Sequence, residues 1–99
     1  MTVLVRYSPT SLSREAYDRV EDALRSQGLE GPPRELSLHV LFGDDPRLRV
    51  SEIWESEEAW RQFRDGALAQ AFDDAGLEMP QPDILAVHEM WGSAVQQPA

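Results

Sequence analysis

Apolar residues recur along the chain with two distinct periods, and the changes of period mark six elements. Residues 2–7 are β-branched, aliphatic or aromatic apart from Arg6, and predict a first strand closed by Ser8-Pro9-Thr10. Ser13 then offers a helix N-cap, with Glu15 near the positive end of the helix dipole. Ala16, Tyr17, Val20, Ala23 and Leu24 follow at three- and four-residue spacing, which puts one apolar face on a helix ending near Arg25 and Gly28.

After the Gly31-Pro32-Pro33 connector, residues 36–42 read as a second strand. Strict alternation sets Leu36, Leu38, Val40 and Phe42 on one side and Ser37, His39 and Leu41 on the other. Gly43-Asp44-Asp45-Pro46 is a turn, and residues 48–54 form the returning strand of a hairpin. Ser56 caps the second helix, Glu57 and Glu58 occupy its first turn, and Ala59, Trp60, Phe63, Ala67, Ala71 and Phe72 form its apolar stripe. Gly66 weakens the middle of that helix and Gly76 closes it. A loop with Pro80 and Pro82 leads to a fourth strand over residues 84–91, and residues 93–99 read as a flexible tail.

The order β-α-β-β-α-β predicts an α+β fold of the split βαβ, ferredoxin-like kind. Two helices cover one face of a four-stranded antiparallel sheet. Both alternating sets of the second strand carry apolar residues, so the uncovered face also calls for a partner, and a second copy of the chain supplies one. Ninety-nine residues make one domain, over residues 1–92.

Composition narrows the chemistry. The net charge is −9, which disfavours binding to nucleic acid or to an anionic membrane. Cysteine is absent, which removes disulfides, thiolate metal sites and a Cys nucleophile; lysine is absent, which removes Schiff-base chemistry. No apolar run approaches the roughly 20 residues needed to span a bilayer, and the first residues lack the pattern of a signal peptide, so a cytoplasmic location is the expectation.

His39 and His88 are the only histidines, each within an expected strand, and antiparallel neighbours could bring them together with Glu52 or Glu89. Imidazole titrates near neutral pH, so a general base or a ligand clamp is one reading. Two interior histidines satisfied by hydrogen bonds is the other, and a His/His/Glu metal set is a third. Glu52 precedes Trp54 by two residues and shares its side of the strand. There it is either a half-buried base or a partner for Arg6 or Arg49. Trp54 is pocket wall or core, Trp60 and Phe63 belong to the helix stripe, and Tyr7 is a pocket phenol or a rim residue.

The run Ile53-Trp54-Glu55-Ser56, with Leu38-His39-Val40 and Val87-His88-Glu89, resembles the antibiotic biosynthesis monooxygenase type of dimeric α+β barrel over residues 2–92. The resemblance implies a homodimer with a pocket in each subunit for a small apolar or aromatic molecule, and an activity that uses no cofactor: a monooxygenase or cyclase acting on an aromatic or polyketide-type metabolite. It sets Trp54 at the position of a substrate-handling Trp, Trp60 at that of a second aromatic, and Val50 where such enzymes have Asn. A haem-binding His of related proteins corresponds to the region of Phe63, so haem is not expected. On this reading His39, His88 and Glu52 are catalytic candidates, and Trp54, Tyr7, Val50, Trp60 and Phe63 touch the substrate; neither metal nor cofactor is expected.

Overall fold

A computed structural model describes residues 1–29 and 31–92; the expected tail over 93–99 lies outside the described residues. Strand β1 (Val3–Tyr7) is followed by helix α1 (Arg14–Ser26), the hairpin β2 (Leu36–Asp44) and β3 (Arg47–Trp54), a second helical segment, and β4 (Asp83–Ala86). The strands form one antiparallel sheet in the order β2-β3-β1-β4. This is the expected ferredoxin-like α+β architecture, with the helices on one face.

Both expected caps form. Ser13 Oγ accepts from the Ala16 N–H at 3.0 Å and Ser56 Oγ accepts from the Ala59 N–H at 3.1 Å. Each satisfies one of the donors that a helix start leaves without a partner. The second helical segment divides in three: α2 (Glu57–Phe63), a π-helical turn (Arg64–Leu68) and α3 (Ala69–Ala75). Gly66 sits in the middle of the π turn, where its weak helix preference makes the wider turn cheapest. Gly76 ends α3 in the left-handed region, φ 71°.

The core lies between sheet and helices. Val3, Val5 and Tyr7 of β1, Val50 and Trp54 of β3, and Trp60 of α2 form one buried cluster. Before α1, Leu12 bridges to Arg47, tying the loop that launches the helix to the start of β3.

Two readings of the strands need correction. In β2 the register runs Leu36↔Trp54 and then Leu38↔Ile53, so Ser37 is an extra, bulged residue. The bulge resets the alternation. Leu36 joins His39 and Leu41 toward the helices, while Leu38, Val40 and Phe42 face outward and are exposed. Strand β4 ends at Ala86, apart from one further bond from the Val87 N–H to the Thr2 carbonyl. His88, Glu89 and Trp91 therefore lie beyond the strand and are exposed. Since β2 and β4 are the two edges of the sheet, with β3 and β1 between them, the fold keeps His39 and His88 apart.

The outward face carries Leu38, Val40, Phe42 and Leu85, all exposed. Arg6 pairs with Asp83 at its margin, at 3.0 Å. Among the described residues no helix is long and apolar enough to cross a membrane.

Candidate functional site

The site begins at a register pair. His39 on β2 lies opposite Glu52 on β3, and both point toward the helices. His39 Nδ1 and Glu52 Oε2 are 2.6 Å apart. The other carboxylate oxygen, Oε1, accepts from Trp54 Nε1–H at 3.0 Å. On the far side of the imidazole, Nε2 lies 2.7 Å from the Tyr17 hydroxyl, and the two rings stack with centroids 6.1 Å apart. Tyr17 reaches this point from the core-facing side of α1. The result is one connected chain, Tyr17–His39–Glu52–Trp54, running from a helix through β2 to β3.

Burial grades along the chain. Glu52 is only 8% exposed and Trp54 is fully buried, whereas the His39 side chain is 34% exposed. A buried carboxylate with two hydrogen-bond donors suits its ionised form, an acceptor only. With Nδ1–H committed to Glu52, neutral His39 presents Nε2 as an acceptor for the Tyr17 O–H. The hydrogen bond to Glu52 raises the His39 pKa above its usual 6.5, against the opposing effect of burial. The Tyr17 phenol is pushed up to about 12, first by burial and then by the charges of Glu21 and Glu52, so it keeps its proton at neutral pH.

A cavity of about 860 Å³ lies against this chain, between α1, the inner faces of β2 and β3, and the second helical segment. Tyr17, His39 and Glu52 line it, together with Tyr7, Val50, Phe63 and apolar residues such as Val20, Leu24, Leu36, Leu68 and Phe72. A largely apolar concavity with a few convergent polar groups is the usual form of a small-molecule site. Phe63 precedes the π turn and Leu68 is its last residue, so the irregular helix shapes the cavity wall.

Of the expected site residues, His39, Glu52, Tyr7, Val50 and Phe63 meet at this cavity. Trp54 and Trp60 do not line it. Trp54 is packed behind Phe63, ring centroids 5.6 Å apart, and acts on the site by holding Glu52. Trp60 is fully buried and donates its Nε1–H to the Tyr7 hydroxyl at 2.9 Å. His88 is absent from the site for the topological reason given above. Glu52 does not pair with Arg6 or Arg49, which alternate to the other side of the sheet. Tyr17 was missed as a site residue because it fits the apolar stripe of α1. The signal available was a phenol among aliphatic residues, one turn ahead of Val20. Among the described residues no group of three or more His, Asp or Glu is arranged to hold a metal ion.

No family model and no curated protein matches the sequence. Among solved structures, a "putative Antibiotic biosynthesis monooxygenase" from Chloroflexus aurantiacus J-10-fl aligns over 92% of this chain and 95% of its own, with a TM-score of 0.54 and 13% identity. At that identity the likeness speaks to architecture and not to chemistry. The chain has the ferredoxin-like α+β fold of that structure, with its own Tyr-His-Glu chain set into the cavity wall.

Proposed function

We propose that this protein binds a small apolar or aromatic molecule in the cavity and removes a proton from it through His39. The observation that carries the proposal is the Tyr17–His39–Glu52 chain on the wall of an otherwise apolar cavity. A substrate hydroxyl donates its proton to the Tyr17 oxygen as the Tyr17 proton passes to His39 Nε2. The substrate is left as an enolate or phenolate, and the imidazolium is held by Glu52. Positioned acid–base groups of this kind contribute about 10²–10⁴-fold to rate. Such an anion is the reactive form for a cofactor-independent monooxygenase or a cyclase working on an aromatic or polyketide-type metabolite. The shared fold with a protein described as a monooxygenase supports that class.

The expected result for His39→Ala and Glu52→Gln is a fall of about 100-fold or more in turnover of hydroxylated aromatic and polyketide-type compounds. Unchanged turnover in His39→Ala removes the residue from the mechanism. One observation favours a non-catalytic ligand-binding role instead: Val50, at the position that the resemblance gives to Asn, puts an aliphatic group on the cavity wall. Thermal stabilisation by such compounds, with no product formed, would select that reading.

We also propose that the working unit is a cytoplasmic homodimer, with the outward sheet faces of two copies packed together. The exposed Leu38, Val40, Phe42 and Leu85 support it.

A further inference from the structure

The Tyr7 hydroxyl is committed on one side only. Trp60 Nε1–H donates to it at 2.9 Å. An indole N–H can only donate, so the phenol oxygen acts there as an acceptor and keeps its own proton to give elsewhere. That proton is held firmly: burial pushes the phenol up to about 12, against the lowering effect of the Trp60 bond. Tyr7 is only 8% exposed and it lines the cavity. Among the described residues, no acceptor takes its O–H. Buried donors are almost always paired, and the open space that Tyr7 borders is the cavity.

The two phenols of the cavity are thus not equivalent. At Tyr17, hydroxyl, imidazole and carboxylate form a closed run of hydrogen bonds built to move a proton. At Tyr7 a single donor, oriented by Trp60, stands beside its register partner Val50 and on the other side of β3 from His39, close enough to Glu52 to feel its charge.

We propose that Tyr7 donates a hydrogen bond to a carbonyl-class oxygen of the ligand, so the cavity selects apolar ring compounds that carry a carbonyl as well as the hydroxyl that the His39 chain deprotonates. This rests on the cavity being a small-molecule site, and it names the ligand's second polar group. Tyr7 acts on specificity; it holds the molecule in register while His39 takes the proton.

The test compares 9-fluorenone with fluorene, which differ in one carbonyl. The expected result is that wild-type protein binds the ketone about threefold to tenfold more tightly, the worth of one hydrogen bond. That preference vanishes in Tyr7→Phe. Should Tyr7→Phe misfold because the Trp60 N–H is left without an acceptor, the double variant Tyr7→Phe/Trp60→Phe makes the same comparison. The chain has two tyrosines, so 3-fluorotyrosine labelling, assigned with Tyr17→Phe, gives a readout that leaves Tyr7 in place. With each compound at saturation, fluorenone shifts the Tyr7 ¹⁹F signal further than fluorene does. Equal affinity for the two compounds, or a preference kept in a folded Tyr7 variant, overturns the inference alone. If neither compound binds the wild type, the small-molecule reading of the cavity falls with it.

Discussion

His39 and Glu52 face each other across the β2–β3 pair, with Nδ1 and Oε2 2.6 Å apart. The bulge at Ser37 makes this contact. Without it, strict alternation from Leu36 would turn His39 away from the helices, and Glu52 would be a buried carboxylate with Trp54 as its one hydrogen-bond donor. A single inserted residue therefore makes an edge-strand histidine part of a connected hydrogen-bond chain.

The His39–Glu52 pair makes the protein sensitive to pH in a direction that can be worked out. The His39 pKa lies above its usual 6.5, chiefly because of Glu52. The charges facing the ring are Glu52 from β3 and Glu21 from α1, with Tyr17 on its far nitrogen. A raised histidine stabilises the fold fully below its unfolded pKa, and that contribution is lost as pH rises through the folded pKa. The proposed proton abstraction by His39 needs the neutral ring, so on that proposal turnover is expected to rise through the same interval. An NMR titration of the His39 ring, assigned with His39→Gln, is expected to show a midpoint above 6.5 that falls in Glu52→Gln. An unchanged midpoint in that variant would mean the pair is not coupled in solution.

Glu52 is the buried charged side chain among the described residues, so its replacements should separate charge from hydrogen bonding. In Glu52→Leu the fully buried Trp54 N–H loses its acceptor, and a stranded buried donor costs about 1–3 kcal/mol. Glu52→Gln keeps an amide oxygen for Trp54 and should cost less. Urea unfolding of the two variants checks the order; equal losses would show that the Trp54 bond contributes nothing.

Much of the fold is legible in the residues themselves. Ser13 and Ser56 cap their helices, and the helical and alternating periods give the element order. What the periods could not show is where they break. The Ser37 bulge leaves no mark in a strand whose two faces are both partly apolar, and it moves Leu36 to the side of His39 and Leu41, away from Leu38, Val40 and Phe42. Val87-His88-Glu89 looks like a continuing strand, yet β1 starts at Val3 and offers β4 little further to pair with. The site was half legible for the same reason. His39 and Glu52 stood out as titratable groups on strands, while Tyr17 was hidden in an apolar stripe. Trp54 reads as wall or core and Trp60 as part of the helix stripe; in the structure their N–H groups bond to Glu52 and Tyr7.

Gly43 closes the hairpin that sets the β2–β3 register. Its φ is 99°, and a Cβ there would lie 3.2 Å from the Arg47 carbonyl oxygen. Gly43→Ala combines a left-side backbone conformation with a contact to rigid backbone. A loss of about 1–2 kcal/mol is expected from the conformation alone. Thermal unfolding measures it, and a companion NMR spectrum should show the largest changes at His39 and Glu52 if the hairpin register positions them. A loss confined to the turn, with those signals unmoved, would separate the hairpin from the site.

The outward sheet face provides the last prediction. Leu38, Val40 and Phe42 alternate along β2 toward solvent, with Leu85 on the opposite edge strand, and all four are exposed. An apolar row on an open sheet face is costly in water, and the proposed second copy would remove it from solvent by pairing like with like about a two-fold axis. Val40 lies beside Ser51, with Arg6 next in the same row but already paired with Asp83, so a carboxylate introduced there would be buried against an apolar partner surface. Val40→Glu is therefore expected to shift the protein from dimer to monomer in analytical ultracentrifugation while the circular dichroism of the subunit is kept. The cavity lies on the helix side, so fluorenone affinity should hold in that monomer. A wild-type protein that sediments as a monomer at high concentration would leave this face without its proposed partner.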